Sequence, residues 1–230
     1  MIKAVIFDID GTLVDSVDLH AEAWVETFEK YGKKIAFKDV RRQIGKGSDQ
    51  LLPVFFSTKE LNEFGEEMEK YRGDLFKRDY LPLVKGFPNT RKLFERIKQD
   101  GTHIALASSA KKDELTIYKK LARIGDLLEG ETSTDDVAKS KPHPDIFAAA
   151  LRKLGNPPVE DVIVVGDTPY DAEAASKINL RTIGFLCGGW TEEALCKAGC
   201  VAIYRDPTAL LERYEKSPLA KEPSTSTPRP

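Results

Sequence analysis

Five short apolar runs recur along the chain, each about as long as one strand. They occupy residues 3–7, 102–107, 161–165, 181–186 and 201–204. A run that is apolar throughout is typical of a strand covered on both faces of its sheet. Helical periodicity lies between the runs, with Gly101 and Gly155 at the expected stop positions of two helices. This alternation predicts an α/β fold with a doubly wound, mostly parallel sheet, which is a Rossmann-like core.

The segment from residue 16 to 85 breaks the alternation. Trp24 and Phe28 lie four residues apart, and the apolar residues of 61–75 recur at steps of three and four. This spacing predicts helices and no strand. The segment is also too long for one crossover helix. We therefore predict an α-helical cap at 16–85, inserted into a core of 1–15 and 86–216. Residues 222–230 lack apolar side chains, and we expect a flexible tail over 217–230.

Composition and charge narrow the classes of function. The chain is 41% apolar and 31% charged, with a net charge of −2, which is ordinary for a globular protein. Without a basic stripe, neither nucleic acid nor an anionic membrane is expected as the main partner. No apolar run approaches the roughly 20 residues that span a bilayer. The acids at 8, 10 and 15 are unlike a signal peptide. We expect a cytoplasmic monomer or homodimer.

The cysteines and one histidine are interpreted as structural. Cys187, Cys196 and Cys200 form an odd set without CxxC spacing, which argues against a disulfide framework and a zinc site. We expect reduced thiols packed as small apolar groups, with Cys196 and Cys200 on one helical face. His103 lies in a predicted strand and is expected to pack.

Acids, hydroxyls and a lysine follow the predicted strands or precede a helix. They are Asp8, Asp10, Thr12, Ser108, Ser109, Lys141, Asp167 and Asp171. Open parallel sheets bind ligands at the carboxyl ends of their strands, so these side chains are expected to converge. So much negative charge in one place requires a cation. Ligands that are all oxygen suit a hard ion, and sparse carboxylate ligation suits Mg²⁺ better than Ca²⁺.

Four motifs carry a resemblance to a known family. They are DIDGTLVDS at 8–16, IALASS at 104–109, KPHPDIF at 141–147 and VGDTPYD at 165–171. The chain resembles the haloacid dehalogenase superfamily, in its phosphatase branch with a small helical cap (phosphoglycolate phosphatases and β-phosphoglucomutases). The resemblance covers nearly the whole chain short of the tail. It implies Mg²⁺-dependent hydrolysis of a small phosphorylated metabolite, with phosphoglycolate and sugar phosphates among the candidates.

The resemblance implies catalytic roles for four residues. Asp8 would attack phosphorus and become an aspartyl-phosphate, which divides one difficult displacement into two easier ones. Asp10 would protonate the leaving group and then take a proton from the hydrolytic water. Ser108 and Lys141 would hold the oxygens of the transferring phosphoryl group.

The same resemblance implies a metal site and a phosphate site. Asp8, Asp167 and the backbone carbonyl of Asp10 would bind Mg²⁺, and Asp171 would support the metal or position Lys141. We expect the chain to leave its strand and turn after Asp8. Gly11 and Thr12 are compatible with such a turn. Gly11, Thr12 and Ser109 are also assigned to phosphate binding.

Cap and loop residues are candidates for reading the substrate. Lys46 lies in the loop 45–49, where glycines expose backbone donors beside a cation. The alternative for this loop is a helix start with Ser48 as its cap. His20 lies where related mutases have a histidine near the acid/base aspartate, so it is assigned to the substrate site or to Asp10. His143 is a further candidate for substrate contact. Closure of the cap would exclude water and present Lys46 to the substrate.

Other activities remain as alternatives. A dehalogenase needs no acid/base aspartate, so Asp10 argues against that reaction. A β-phosphoglucomutase-like phosphomutase is closer, but Asp49 replaces the phosphate-gripping arginine of those enzymes, and Gly-Asp-Thr replaces their Glu-Asp. A signalling receiver domain accepts phosphate on a later strand and lacks a cap. An inert binding module would not need both Asp8 and Asp10.

Overall fold

A six-stranded parallel sheet forms the core of the protein, in a computed structural model that describes residues 1–220. In spatial order its strands are β5 (Gly130–Thr132), β4 (His103–Ala107), β1 (Ala4–Phe7), β6 (Val162–Gly166), β7 (Arg181–Phe185) and β8 (Cys200–Tyr204). The predicted fold class is confirmed. The patterning missed β5, because its sequence, GET, lacks an apolar run.

Helices cover both faces of the sheet, as the doubly wound prediction requires. In β1, Val5 and Phe7 face one layer, whereas Ala4 and Ile6 face the other, because alternate side chains of a strand point to opposite faces. The first layer contains α5 (Thr90–Gln99), α6 (Lys112–Ala122) and α10 (Pro207–Glu212). The second contains α7 (Asp145–Lys153) and α8 (Pro169–Ser176), and α9 (Glu192–Lys197) lies beside β8.

The segment after β1 is helical and has a hydrophobic core of its own. It contains α1 (Val17–Lys30), α2 (Phe37–Arg41), α3 (Ser48–Phe55) and α4 (Thr58–Leu75), followed by a π-helical turn (Phe76–Tyr80) and a 3₁₀ turn (Leu81–Leu83). Phe28 is fully buried in this cap and contacts the rings of Trp24 and Phe56. A capping box between Ser57 and Glu60 fixes the start of α4.

The cap joins the core through a two-stranded antiparallel ribbon that the sequence did not reveal. Strand β2 (Val14–Asp15) pairs with β3 (Lys85–Gly86), so the chain enters and leaves the cap side by side. A Cβ at Gly86 would lie 2.8 Å from the Leu121 carbonyl oxygen, which makes glycine necessary there. Strands of two residues are too short to show a periodic pattern of apolar residues in the sequence.

Three structural expectations for the cysteines and His103 are wrong. Cys196 lies on α9 and Cys200 in β8, because Gly199 at φ +95° separates them, so no helical face carries both. Cys196 is exposed rather than packed. His103 is also exposed, since it opens β4 at the rim of the sheet, with Nδ1 3.6 Å from a Glu129 carboxylate oxygen.

The predicted tail begins too early. Ser217 and Leu219 are buried, and Leu219 packs against the core, so residues 217–220 belong to the folded protein. The rest of the predicted tail, 221–230, lies outside the described residues. Among the helices within 1–220, none has the length and apolar character that crossing a bilayer requires.

The cap core gives a stability prediction. Phe28→Ala should lower the free energy of unfolding by about 3–5 kcal/mol, because it leaves a cavity among aromatic side chains. Urea denaturation measures this change. Phe37→Ala, in the same cap but 38% exposed, is the control and should change the value by about 0.5 kcal/mol or less. Equal effects of the two substitutions would show that Phe28 does not organise the cap.

Candidate active site

The sheet topology brings three catalytic candidates to one edge. Strand β1 lies between β4 and β6, and the chain winds outward in opposite directions from it. Asp8, Ser108 and Asp167 each follow one of these three strands. The backbone N–H of Asp8 donates to the Val165 carbonyl at 2.9 Å. Ligands bind at such a switch point in open α/β sheets, so this edge is the candidate site.

Three buried carboxylates meet at this edge. Asp8, Asp167 and Asp171 each offer one oxygen, and these oxygens lie within 4.8 Å of one another. Burial, together with repulsion from Asp171 and Asp10, outweighs the attraction of Lys141 and raises the pKa of Asp8 to about 7. Burial and the Asp8 and Asp171 charges raise the pKa of Asp167 well above its usual range. The cluster therefore carries more negative charge than the protein alone neutralises.

The residues present fit a divalent cation. Oδ2 of Asp167 is buried and has no hydrogen-bond partner among the described residues, whereas its Oδ1 accepts from Thr12 Oγ1 at 2.9 Å. An unpartnered carboxylate oxygen among other carboxylates is costly unless an ion contacts it. A Cβ at Gly188 would lie 1.7 Å from Asp167 Oδ2, so only glycine fits beside this oxygen. The donors are all oxygen, which suits Mg²⁺.

Lys141 connects two of the carboxylates. Its ammonium donates to Asp8 Oδ1 at 2.5 Å and to Asp171 Oδ1 at 2.8 Å, and its side chain is 1% exposed. Burial opposes the charged form, but attraction to Asp171 and Asp8 prevails and raises the pKa of Lys141. Asp171 Oδ2 also accepts from the N–H and hydroxyl of Thr168 at the start of α8. Asp171 is thus held by its own helix while it positions Lys141.

Asp10 lies beside this cluster and is held by the cap. Its Oδ1 accepts from Ser16 Oγ at 2.6 Å and lies 2.8 Å from His20 Nε2. Burial raises the pKa of Asp10, but His20 and the Ser16 hydrogen bond outweigh burial, so the pKa lies below its usual range. The guanidinium of Arg72, on α4, donates to His20 Nδ1. The His20 ring stacks on Phe76 with centroids 4.0 Å apart.

The turn after Asp8 separates the two aspartates. Gly11 adopts φ +76°, which favours glycine, and a Cβ there would lie 2.4 Å from Asp167 Oδ2. Thr12 is fully buried and faces Asp167 and Asp8 rather than the open cavity. Ser108 is also fully buried, and its Oγ accepts from the Ala110 N–H at 3.0 Å.

A cavity of about 110 Å³ lies between cap and core at this edge. The side chain of Ser109 reaches it, as does that of Lys46. The Lys46 ammonium donates to Gln43 Oε1 at 2.6 Å and lies 4.7 Å from the centre of the Tyr170 ring. The lining residues are Asp8, Asp10, His20, Trp24, Ile44, Gly45, Lys46, Gly47, Ser48, Glu69, Arg72, Gly73, Ser109, Ala110, Lys111, Glu114, Thr134 and Lys141. His143, a candidate for substrate contact, is not among them.

The cap loop 45–49 is attached directly to the core. The N–H of Gly47 donates to Ser140 Oγ at 2.9 Å, and the Ser140 N–H and hydroxyl donate to the Asp49 carboxylate. Ser140 directly precedes Lys141. In the alternative interpretation of this loop, the helix start is found, since α3 begins at Ser48, but the cap is wrong: Gly47 is the N-cap, and no side chain caps that helix.

Three residues of the site were missed. They are Arg72, Glu114 and Tyr118, whose hydroxyl lies 3.1 Å from His20 Nε2. A signal was present in the sequence. Arg72 lies four residues after buried Met68, and Glu114 lies four residues before buried Tyr118. A charged residue on the buried face of a helix is rare without a partner and indicates function.

Known proteins resemble this chain over most of its length. A phosphorylated carbohydrates phosphatase of Thermotoga maritima is 29% identical over 204 residues, 88% of this chain and 94% of that protein. A phosphoglycolate phosphatase of Aquifex aeolicus is 32% identical over 197 residues, 81% of this chain and 85% of that protein. The crystal structure of a hydrolase from Pseudomonas syringae superimposes with a TM-score of 0.86 at 27% identity and covers 95% of this chain and 100% of that one.

The family assignment follows from the geometry and from a match to one family profile. Residues 5–185 match the profile of haloacid dehalogenase-like hydrolases. This range includes β1 with Asp8, the whole helical cap, Lys141 and Asp167. The chain belongs to the haloacid dehalogenase-like hydrolase family.

Proposed function

We propose that this hydrolase is a Mg²⁺-dependent phosphatase that cleaves small phosphate monoesters through an aspartyl-phosphate on Asp8. One observation carries the proposal: the Asp8 carboxylate lines the cavity with Lys141 bound to it at 2.5 Å. A carboxylate at the mouth of a small cavity, beside a fixed cation, is placed to attack an electrophile that brings negative charge.

Attack by Asp8 needs the phosphoryl charge to be offset. An Asp8 oxygen forms a bond to phosphorus while the bond from phosphorus to the ester oxygen breaks. Lys141 is held by Asp171, so its ammonium can stay in place while Asp8 becomes phosphorylated. The Lys141 ammonium and the Ser109 hydroxyl, which line the cavity with Asp8, are the donors proposed for phosphoryl oxygens. Water then attacks the phosphoryl group, which releases phosphate and regenerates Asp8.

Asp10 is suited to move the proton in both steps. The approach of an anionic phosphate favours the protonated carboxyl and raises a pKa that His20 otherwise lowers. Protonated Asp10 gives its proton to the departing ester oxygen. The carboxylate that results, held by Ser16 and His20, accepts a proton from the attacking water.

Mg²⁺ would be held by Asp8, Asp167 and neighbouring oxygens, and it would neutralise the charge shared by the carboxylates and the phosphate. The partnerless Asp167 oxygen supports this placement.

The contacts of Asp49 favour hydrolysis over phosphomutase activity. A mutase must hold a bisphosphate intermediate by both ends, which requires a cation for the second phosphate. Here Asp49 is an acid, and its carboxylate accepts two hydrogen bonds from Ser140. It would repel a second phosphate at this place.

Substitution of the two aspartates tests the chemistry. Asp8→Asn should abolish turnover, because the amide cannot form the acyl phosphate. Asp10→Asn should lower kcat by about 10²–10⁴-fold, the usual contribution of general acid–base catalysis. Phosphate release from a panel of small phosphomonoesters with Mg²⁺ measures both effects, with folding checked by circular dichroism. Turnover by folded Asp8→Asn at the wild-type rate would exclude the aspartyl-phosphate.

The metal site can be tested without turnover. Mg²⁺ should raise the thermal unfolding midpoint of the wild type, since it neutralises buried carboxylates. Asp167→Asn should lose this increase, whereas Asp135→Asn, at an exposed site, should keep it. In activity assays chelation should stop turnover, and Ca²⁺ should restore it poorly because its coordination is looser. An unchanged Mg²⁺ response in Asp167→Asn would place the ion elsewhere.

The mutase alternative has a direct test. The protein is incubated with β-glucose 1-phosphate and a bisphosphate primer, and both products are followed. We expect free phosphate to form faster than glucose 6-phosphate, because Asp49 stands where the related mutases have the arginine that grips the second phosphate. The opposite order would make the protein a phosphomutase.

A further inference from the structure

One wall of the cavity contains a carboxylate that is almost fully buried. Glu114, in the first turn of α6, is 3% exposed and lines the cavity from the core side. Its carboxylate makes no hydrogen bond or ion pair with any residue in the described part of the chain. The positive charge of Arg72 attracts this carboxylate, but no donor within residues 1–220 reaches its oxygens, so a ligand hydroxyl can donate to them.

The opposite wall contains an incompletely satisfied cation. Arg72, on the cap helix α4, lines the same cavity and lies over the Trp24 and Phe76 rings, with its guanidinium carbon 5.2 Å and 4.8 Å from their centres. One guanidinium nitrogen donates to His20, whereas Nε is enclosed and has no partner within residues 1–220. Guanidinium groups only donate, so a ligand group that Arg72 binds must be an acceptor.

The charges around the cavity balance. Apart from Asp8 and Lys141, which face the phosphoryl group, the acidic lining residues are Asp10, Glu69 and Glu114, and the basic ones are Lys46, Arg72 and Lys111. Glu114 would repel a leaving group with a negative charge, and Arg72 would repel one with a positive charge. A hydroxyl group both donates and accepts, so it can satisfy both walls at once.

We infer that Glu114 and Arg72 select phosphate esters of neutral, hydroxyl-bearing alcohols, such as polyols and sugars, over esters whose leaving group carries a carboxylate or an ammonium. Glu114 accepts from a substrate hydroxyl, and Arg72 donates to the same hydroxyl or its neighbour. This inference rests on the proposed phosphatase function and names the substrate class. It disfavours phosphoglycolate, the substrate in the name of one relative.

Three esters of equal length test the inference. Phosphoglycolate, 2-hydroxyethyl phosphate and phosphoethanolamine differ chiefly in the terminal group, which is negative, neutral or positive. The wild type with Mg²⁺ should give the highest kcat/KM for 2-hydroxyethyl phosphate. Glu114→Gln should raise the kcat/KM ratio of phosphoglycolate to 2-hydroxyethyl phosphate about tenfold, because it removes a like charge a few ångströms away. The same variant should lower the kcat/KM ratio of phosphoethanolamine to 2-hydroxyethyl phosphate.

Two controls separate charge from packing. Glu114→Asp keeps the charge and should keep the wild-type order of substrates. Glu212→Gln removes an exposed charge on α10 and should leave all three values unchanged. Thermal unfolding checks that each variant folds. A wild type that prefers phosphoglycolate, or a folded Glu114→Gln whose ratios stay within twofold of wild type, would overturn the inference.

The proposed function fails separately from this inference. Its failure would appear as no phosphate release by the wild type from any of the three esters, or as full activity of Asp8→Asn. A wild type that hydrolyses all three with no preference for the neutral ester would instead support phosphatase activity while excluding the selective role of Glu114.

Discussion

Repulsion among buried carboxylates is the constraint on which the rest of this structure depends. Asp8, Asp167 and Asp171 are buried, and one oxygen of each lies within 4.8 Å of the others. Lys141 offsets part of that charge, and the unpartnered oxygen of Asp167 shows that the compensation is incomplete. A phosphate ester would add more negative charge. The chemistry we propose therefore needs both a fixed ammonium group and a divalent cation.

The cap and the core each supply half of the site. The core provides the carboxylates and Lys141. The cap provides His20, which is hydrogen-bonded to Asp10, and Arg72, which donates to His20. The loop 45–49 reaches Ser140, the residue before Lys141. Contacts between the cap and the core thus involve both Asp10 and the residue next to Lys141. Closure of the cap and readiness of the catalytic residues are expected to be linked.

The core and the acidic cluster around Lys141 could be predicted from the sequence, because each depends on a local pattern. Strands such as β1 and β6 are apolar throughout, and the motifs at Asp8 and Asp167 follow them directly. The rest depends on contacts between distant segments. The partners of Arg72 and Glu114 lie elsewhere in the chain, and the two-residue strands β2 and β3 have no period. The spacing of four residues between Cys196 and Cys200 suits one helix, but Gly199 lies between α9 and β8, so Cys200 lies in the strand.

The ribbon of β2 and β3 has a consequence for how this architecture can diverge. The two ends of the insertion pair with each other. The core can therefore accept inserted segments of different length between them, because the entropic cost of closing a loop grows slowly with the length of the loop. New helices can be accommodated there without displacing the strand that leads to Asp8, the proposed nucleophile. Reaction chemistry and molecular recognition are thereby left free to evolve at different rates within one polypeptide.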